Sequence, residues 1–140
     1  MLYPTFYAML SSYCLAGCLM EHFALYPGWL LTSPETLATI HTAQSPGITI
    51  IYVLPKLSLT LSIIVQVLNS PTLTNYFSMA MLTISWISTV TIQIPLQQRI
   101  RKRGDREAVK GLIATDWVRV LTMAAHCMAV VWAVAAGQER

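Results

Sequence analysis

Residues 48–68 read ITIIYVLPKLSLTLSIIVQVL, a nearly unbroken apolar run in which Lys56 is the one charged side chain. A helix of about 20 residues crosses the roughly 30 Å hydrocarbon core of a bilayer. This stretch therefore predicts a transmembrane helix, and apolar runs of similar length recur on both sides of it. We predict spans over about 2–25, 48–68, 76–96 and 112–136. The predicted fold is an all-α polytopic membrane protein, with one four-helix transmembrane domain over residues 1–140.

The composition excludes most other classes of protein. The 140 residues are 55% hydrophobic and 11% charged, whereas soluble domains carry about 25% charged residues. The glycine-punctuated alternation of strands and helices typical of α/β enzymes is missing. Phosphate-binding glycine loops and nucleophilic triads are missing as well. Three cysteines, an odd number, give no disulfide framework, so we expect them to be buried packing residues.

Two segments between the spans carry further signals. Ser33-Pro34-Glu35 is a strong helix start, which predicts a short interfacial helix over about 34–44 that carries His41. Residues 97–111 form a basic loop that contains six of the nine Lys and Arg residues. Beside apolar spans such a loop indicates the cytoplasmic side, and we expect no nucleic-acid binding. We therefore expect insertion in the plasma (inner) membrane, with loop 97–111 cytoplasmic and both termini on the opposite side.

Each predicted span carries one polar stripe at spacings of three and four residues, which lipid cannot satisfy. Ser and Thr hydroxyls can bond to their own helix backbone, but ionisable side chains need another explanation. From these stripes and the predicted interfacial helix we select five candidate ligand-binding residues, namely Lys56, Glu21, His41, Gln93 and Arg119.

Lys56 is the most informative of these residues because it lies near the middle of its span. A lysine at that depth costs about 2.5–3.5 kcal/mol on insertion scales. We expect it to face an internal site with Glu21 as its partner, although a lysine can also extend its long side chain to the membrane surface. Asp116 and Arg119 leave a similar choice open. They form either an anchor at the interface or a cavity in which Arg119 binds a ligand oxygen.

His22 and His126 are candidate axial ligands for haem or a chlorophyll-type pigment. Small residues, Cys18 and Thr122, stand four positions before them and leave room for a flat macrocycle. A buried, hydrogen-bonded histidine is the alternative. No metal site is expected, because the spacings that hold metal ions, such as HxxxH or ExxH, do not occur.

Several short motifs carry a resemblance to a known family. They are His22-Phe23-Ala24-Leu25-Tyr26-Pro27, His41, Trp86-Ile87-Ser88-Thr89 with Gln93-Ile94-Pro95-Leu96-Gln97, and Thr115-Asp116-Trp117-Val118-Arg119. With them the chain resembles small four-helix bacterial membrane proteins, similar in appearance to the anthrone-oxygenase-like family. The resemblance implies the four-helix membrane fold. For the anthrone oxygenases themselves it implies cofactor-free oxygenation of a phenolic polyketide.

Two positions depart from that family pattern. Lys56 stands where the family has an acidic residue after the proline, and Asp116 stands where it has Asn. The charge reversal at Lys56 implies altered or lost activity if that family position matters chemically.

Three hypotheses for the function follow. In the first, the protein is an accessory or structural subunit of a respiratory or photosynthetic type of membrane complex, with other integral membrane subunits and membrane lipids as partners. In the second, it is an enzyme or binder of a lipophilic quinone- or polyphenol-like molecule. In the third, it carries a pigment or haem. No catalytic residues can be named, and we expect a non-catalytic role.

Overall fold

The computed structural model describes residues 2–137, with side chains over 4–137, and every regular element in that range is helical. Four helices are long and apolar enough to cross a membrane: α1 over Pro4–Trp29, α2 over Pro34–Asn69, α3 over Leu73–Arg103 and α4 over Arg106–Ala135. The predicted all-α, four-helix architecture is confirmed at this level. Residue 1 and residues 138–140 of the predicted domain lie outside the described residues.

The helices form an antiparallel bundle in which each one packs against two neighbours. Helices α1 and α3 both pack along α4, and α2 packs against α1 and α3. One apolar cluster, which includes Trp29, Leu37 and Val109, lies where α3 ends and α4 begins. We call this the basic end of the bundle. A larger cluster, which includes Leu59 and Met123, fills the other half.

The predicted separate helix over 34–44 is wrong, because these residues form the first part of α2. Helix α2 has 36 residues, or about 54 Å, which is longer than the hydrocarbon core of a bilayer. Ser33 begins the helix as predicted, because its hydroxyl accepts a hydrogen bond from the Thr36 amide at 3.3 Å. Pro46 lies inside the helix and does not end it, because a proline removes one backbone hydrogen bond while the surrounding bonds persist.

The prediction of a loop over residues 97–111 is also wrong, because only Gly104 and Asp105 lie outside the helices there. Gly104 has a φ of 59°, the left-handed conformation that commonly ends a helix. Asp105 then accepts hydrogen bonds from the amides of Glu107 and Ala108 and begins α4. The basic side chains therefore extend from two helix ends.

The two turns at the basic end are in contact with each other. A Cβ atom at Gly104 would collide with the carbonyl of Pro34, so the α3–α4 turn needs a glycine for space as well as for conformation. A guanidinium nitrogen of Arg106 donates to the carbonyl of Leu30. These contacts join the start of α4 to the α1–α2 connection.

Three helices contain a turn of π-helix, and a proline follows each turn after one residue. The π turns span Glu21–Leu25, Thr49–Val53 and Thr89–Gln93, and the prolines are Pro27, Pro55 and Pro95. Proline lacks an N–H group and its ring crowds the preceding turn. The wider π turn accommodates this ring, and the α-helix then resumes. Pro27 therefore lies within α1, beyond the predicted end of the first span near residue 25, and Pro55 lies within α2.

Candidate functional site

A layer of buried polar side chains separates the two apolar clusters. Among residues 4–137 it holds every charged side chain that is buried, namely Glu21, Lys56, Asp116 and Arg119. Two carboxylates and two cations balance each other in formal charge. Ionisable groups buried in this way must find partners inside the protein, because the apolar surroundings cannot solvate them.

The Arg119 cluster, formed by Glu21, His22, Tyr26, Asp116 and Arg119, joins α1 to α4. Nη2 of Arg119 donates to Oε2 of Glu21 at 2.5 Å and to the Tyr26 hydroxyl at 3.1 Å. Nε donates to Oδ1 of Asp116 at 2.8 Å. Nδ1 of His22 donates to Oδ2 of the same carboxylate at 3.2 Å. Each carboxylate in the cluster therefore has a partner from the chain.

Asp116 and Arg119, whose roles the sequence left open, form an ion pair with each other. Their ion pair is buried, with Asp116 fully inaccessible to solvent, so it is not an anchor at the interface. Trp117 lies between them in sequence and is exposed. The Arg119 side chain points into the bundle and contacts α1.

Lys56 is the buried cation without a carboxylate partner among the described side chains. Its Nζ donates to Oγ of Ser85 at 2.9 Å and to Oγ1 of Thr89 at 3.1 Å. It also lies 4.6 Å from the centroid of the Trp86 ring, a cation–π contact. The Trp86 indole is fixed by a 2.8 Å hydrogen bond from its Nε1 to Thr60. All of these partners are neutral.

The expected pair between Lys56 and Glu21 is not formed, because Glu21 is bonded to Arg119. Both side chains instead line one cavity of about 30 Å³, together with Arg119, Cys14 and Cys18. A volume of this size holds roughly two water molecules. The ammonium group of Lys56 therefore lies beside a small space whose lining combines apolar side chains with Glu21 and Arg119.

A wider groove of about 490 Å³ lies between α1 and α2 on the outside of the bundle, with apolar walls that include Ala24 and Ile48. Ile51 and Tyr52 line both this groove and the Lys56 cavity. The Tyr52 ring lies against Gly17, where an added Cβ would come within 2.7 Å of it. Tyr52 thus forms the wall between an apolar groove and the polar layer.

His126 lies in the other half of the bundle, away from the Arg119 cluster. Its Nδ1 donates to the carbonyl of Ser78 at 3.0 Å, and its Nε2 lies 3.3 Å from the hydroxyl of Ser11. The ring is completely buried and makes an edge contact with Tyr7. Both nitrogens are engaged in this arrangement, whereas an axial haem ligand offers one of them to iron.

His22 is also packed by protein groups. Its ring centroid lies 4.4 Å from that of Trp117 and 4.7 Å from that of Phe23, both in edge geometry. Across residues 4–137, no group of three or more His, Cys, Asp or Glu side chains has a geometry that could hold a metal ion.

His41 and Gln93 are buried but do not line the Lys56 cavity. His41 precedes Lys56 by 15 positions on α2, which is about 22 Å along the helix. Among the side chains of residues 4–137, neither ring nitrogen of His41 has a hydrogen-bond partner, and the same holds for both side-chain amide atoms of Gln93. Of the five candidate ligand residues, Glu21 and Arg119 therefore lie beside Lys56, whereas His41 and Gln93 lie elsewhere in the bundle.

Tyr26, Tyr52, Ser85 and Thr89 belong to the site but were not among the candidate residues. Of these four residues, the sequence carried a signal for Thr89. A polar residue stands six positions before each of the three prolines that follow a π turn. These residues are Glu21, Thr49 and Thr89, and two of them contact a buried cation.

No known protein family, curated protein or solved structure matches this chain. The geometry of the polar layer and its neighbouring cavities is therefore the evidence that bears on function.

Proposed function

We propose that this is an integral membrane protein that binds a lipophilic molecule bearing an oxygen atom, such as a quinone or a polyphenol. The observation that carries the proposal is the Lys56 ammonium, which is buried and has only neutral partners. An ammonium group has three N–H donors, and two of them are used by Ser85 and Thr89. The third is available to a carbonyl or hydroxyl oxygen of a ligand.

The neighbouring groove provides a place for the rest of such a molecule. Its volume of about 490 Å³ is within the usual range for small-molecule sites, roughly 300–1,000 Å³. It lies between two helices that are apolar enough to face lipid, so a ligand would enter from the bilayer. A change in the side-chain rotamer of Tyr52 would connect the groove with the cavity beside Lys56.

The proposal assigns distinct roles to the two cations. Arg119 holds α1 and α4 together through Glu21 and Tyr26, and Lys56 contacts the ligand. An ammonium in a site of low dielectric also polarises a bound carbonyl, which is the chemistry an enzyme would use.

Mass spectrometry of the organic extract of the purified protein tests the proposal. We expect a lipophilic compound in near-stoichiometric amount with the wild type, and its loss in Lys56→Met. Lys110→Met is the matched control, because that lysine is exposed and pairs with Glu107. An extract that is identical for the wild type and Lys56→Met would contradict the proposal.

A second candidate is that the protein is a subunit of a larger membrane complex. The least buried of the four helices is α2, and its outer face presents large apolar residues that include Leu54, Leu61 and Leu68. Another integral membrane subunit would pack on this apolar face in place of lipid. Native electrophoresis from mild detergent tests this candidate, and migration as a lone 15.6 kDa chain would exclude it.

The proposed location is the plasma (inner) membrane, with the basic end in the cytoplasm and both termini opposite. Arg99, Arg101, Lys102 and Arg103 all extend from the last turns of α3, and excess positive charge marks the cytoplasmic side. Arg103→Cys, labelled with a membrane-impermeant maleimide, tests the orientation. We expect labelling only after the cells are opened, and labelling of intact cells would reverse the topology.

A further inference from the structure

A second cavity, of about 240 Å³, lies between α2 and α3 at the basic end of the bundle. Its polar lining comes from His41, Ser45 and Thr49 on α2 and from Gln97, Gln98 and Arg101 on α3. It shares no lining residue with the Lys56 cavity.

His41 provides the first sign that this cavity binds something. Its side chain is 4% exposed, yet neither ring nitrogen has a hydrogen-bond partner within residues 4–137. A buried polar group left without a partner is unfavourable, because it has lost its hydrogen bonds to water and gained none in the protein. The Ser45 hydroxyl donates its proton to the carbonyl of His41 at 2.8 Å, so it cannot also donate to a ring nitrogen. The Trp29 ring packs against the imidazole, with centroids 5.1 Å apart.

Arg101 provides the second sign. Two nearby basic side chains are paired, since Arg99 contacts Asp105 and Lys110 contacts Glu107, whereas Arg101 is the basic side chain that lines the cavity. Arg101 forms no ion pair with the described side chains, and no carboxylate lines the cavity. One guanidinium, one imidazole and two amides thus supply many donors and no negative charge. This set of donors favours an oxyanion, and arginine binds phosphate with particular geometric specificity.

The position of the cavity fits a phosphate at a membrane surface. His41 precedes the end of α2 at Asn69 by 28 positions, or about 42 Å. This distance exceeds the roughly 30 Å hydrocarbon core, so His41 lies at the level of the headgroups. Basic pockets between transmembrane helices on the cytoplasmic side bind the headgroups of anionic lipids.

We propose that this cavity binds a phosphate group, supplied either by an anionic phospholipid headgroup or by phosphate in solution. The Arg101 guanidinium and an N–H of His41 donate to its oxygens. The proposal does not depend on ligand binding at Lys56.

Native mass spectrometry of the full-length protein in detergent, titrated with phosphatidylglycerol or phosphatidylcholine, tests the lipid source. We expect phosphatidylglycerol to bind more tightly, and Arg101→Gln to weaken its binding at least about tenfold. Arg103→Gln is the matched control, because it removes the same charge from the same exposed helix end and does not line the cavity. It should change the affinity less than about twofold. His41→Leu, which changes no exposed charge, should weaken binding as Arg101→Gln does.

A parallel titration with inorganic phosphate, followed by thermal stability, tests the other source. Phosphate stabilisation that requires Arg101, without tight lipid binding, would identify phosphate in solution as the ligand. Tight phosphatidylglycerol binding that requires Arg101 would identify the headgroup. Equal effects of Arg101→Gln and Arg103→Gln would overturn the proposal, because they would indicate diffuse charge attraction. Binding of neither probe would also overturn it.

Discussion

Arg119 and Lys56 are two buried cations in one polar layer, and their surroundings differ in kind. Arg119 donates to two carboxylates and a phenol, whereas Lys56 meets two hydroxyls and the face of an indole. A buried cation that is paired with carboxylates is part of the structure, because removing it leaves those charges exposed to an apolar interior. A buried cation without a carboxylate can serve a ligand at little cost to the fold.

The largest expected effect is that of Arg119→Met, which leaves Glu21 and Asp116 buried without their cation. Breaking a buried pair in this way costs about 3–5 kcal/mol. Unfolding of the purified protein in detergent, followed by circular dichroism, should show a large loss of stability or no folded protein. Arg103→Met, at an exposed position, is the control. A decrease in the free energy of unfolding of less than about 1 kcal/mol would show that Arg119 has no structural role.

A double variant sharpens this comparison. Glu21→Gln removes one of the two carboxylates that Arg119→Met leaves without their cation, so the two changes should not be additive. Residues in contact typically show coupling energies of about 0.5–3 kcal/mol. We expect the double variant to be more stable than the sum of the single losses implies, as measured by the same unfolding experiment. Strict additivity would mean that the 2.5 Å contact contributes nothing.

Asp105 adds a carboxylate outside the membrane-spanning segments, where water competes with its partners. Hydrogen bonding from the Ala108 amide, and then from Arg99, lowers the pKa of Asp105 below its usual 3.8. Its contribution to stability is therefore present above pH 4 and is lost as the pH falls through the lowered pKa. Asp105→Ala should cost about 1 kcal/mol at neutral pH, and the difference from the wild type should shrink in acid. A difference that grows in acid would contradict this interpretation.

The smallest effect on stability is expected for Lys56→Met. Thr89 keeps its hydrogen bond to the carbonyl of Ser85 at 2.8 Å, and the thioether of methionine packs well against an aromatic ring such as Trp86. We expect a change of less than about 1 kcal/mol in the same unfolding measurement. A loss as large as that of Arg119→Met would make Lys56 a structural residue and remove the difference between the two cations.

The fold was largely predictable because four long apolar runs with few charges favour four long helices. The run at 48–68 identified the core of α2, and Ser33-Pro34-Glu35 identified its start. The errors came from separating a helix over about 34–44 from the span at 48–68, and from interpreting the basic residues at 97–111 as a loop. In a long helix a single proline is accommodated by a neighbouring turn. Charged residues need not leave a helix that extends beyond the hydrocarbon.

The polar layer was predictable in its members but not in its pairing. Glu21, Lys56, Asp116 and Arg119 were all recognised as residues that lipid cannot satisfy, and the three-residue spacing correctly paired Asp116 with Arg119. The choice of Glu21 as the partner of Lys56 failed because the partner across a bundle depends on which helices are neighbours. Sequence periodicity gives the inward face of each helix but not the neighbour it meets, and α1 packs extensively along α4.

The most direct test of the contrast between the two cations is the affinity of the purified protein for decylubiquinone. Quenching of tryptophan fluorescence reports binding, because Trp86 lies next to the Lys56 ammonium. We expect saturable quenching in the wild type and in Lys110→Met. The dissociation constant should rise at least about tenfold in Lys56→Met, since a hydrogen bond to a charged group contributes about 1.5–3 kcal/mol. Equal affinities in all three proteins would show that Lys56 does not contact the quinone and would contradict the account.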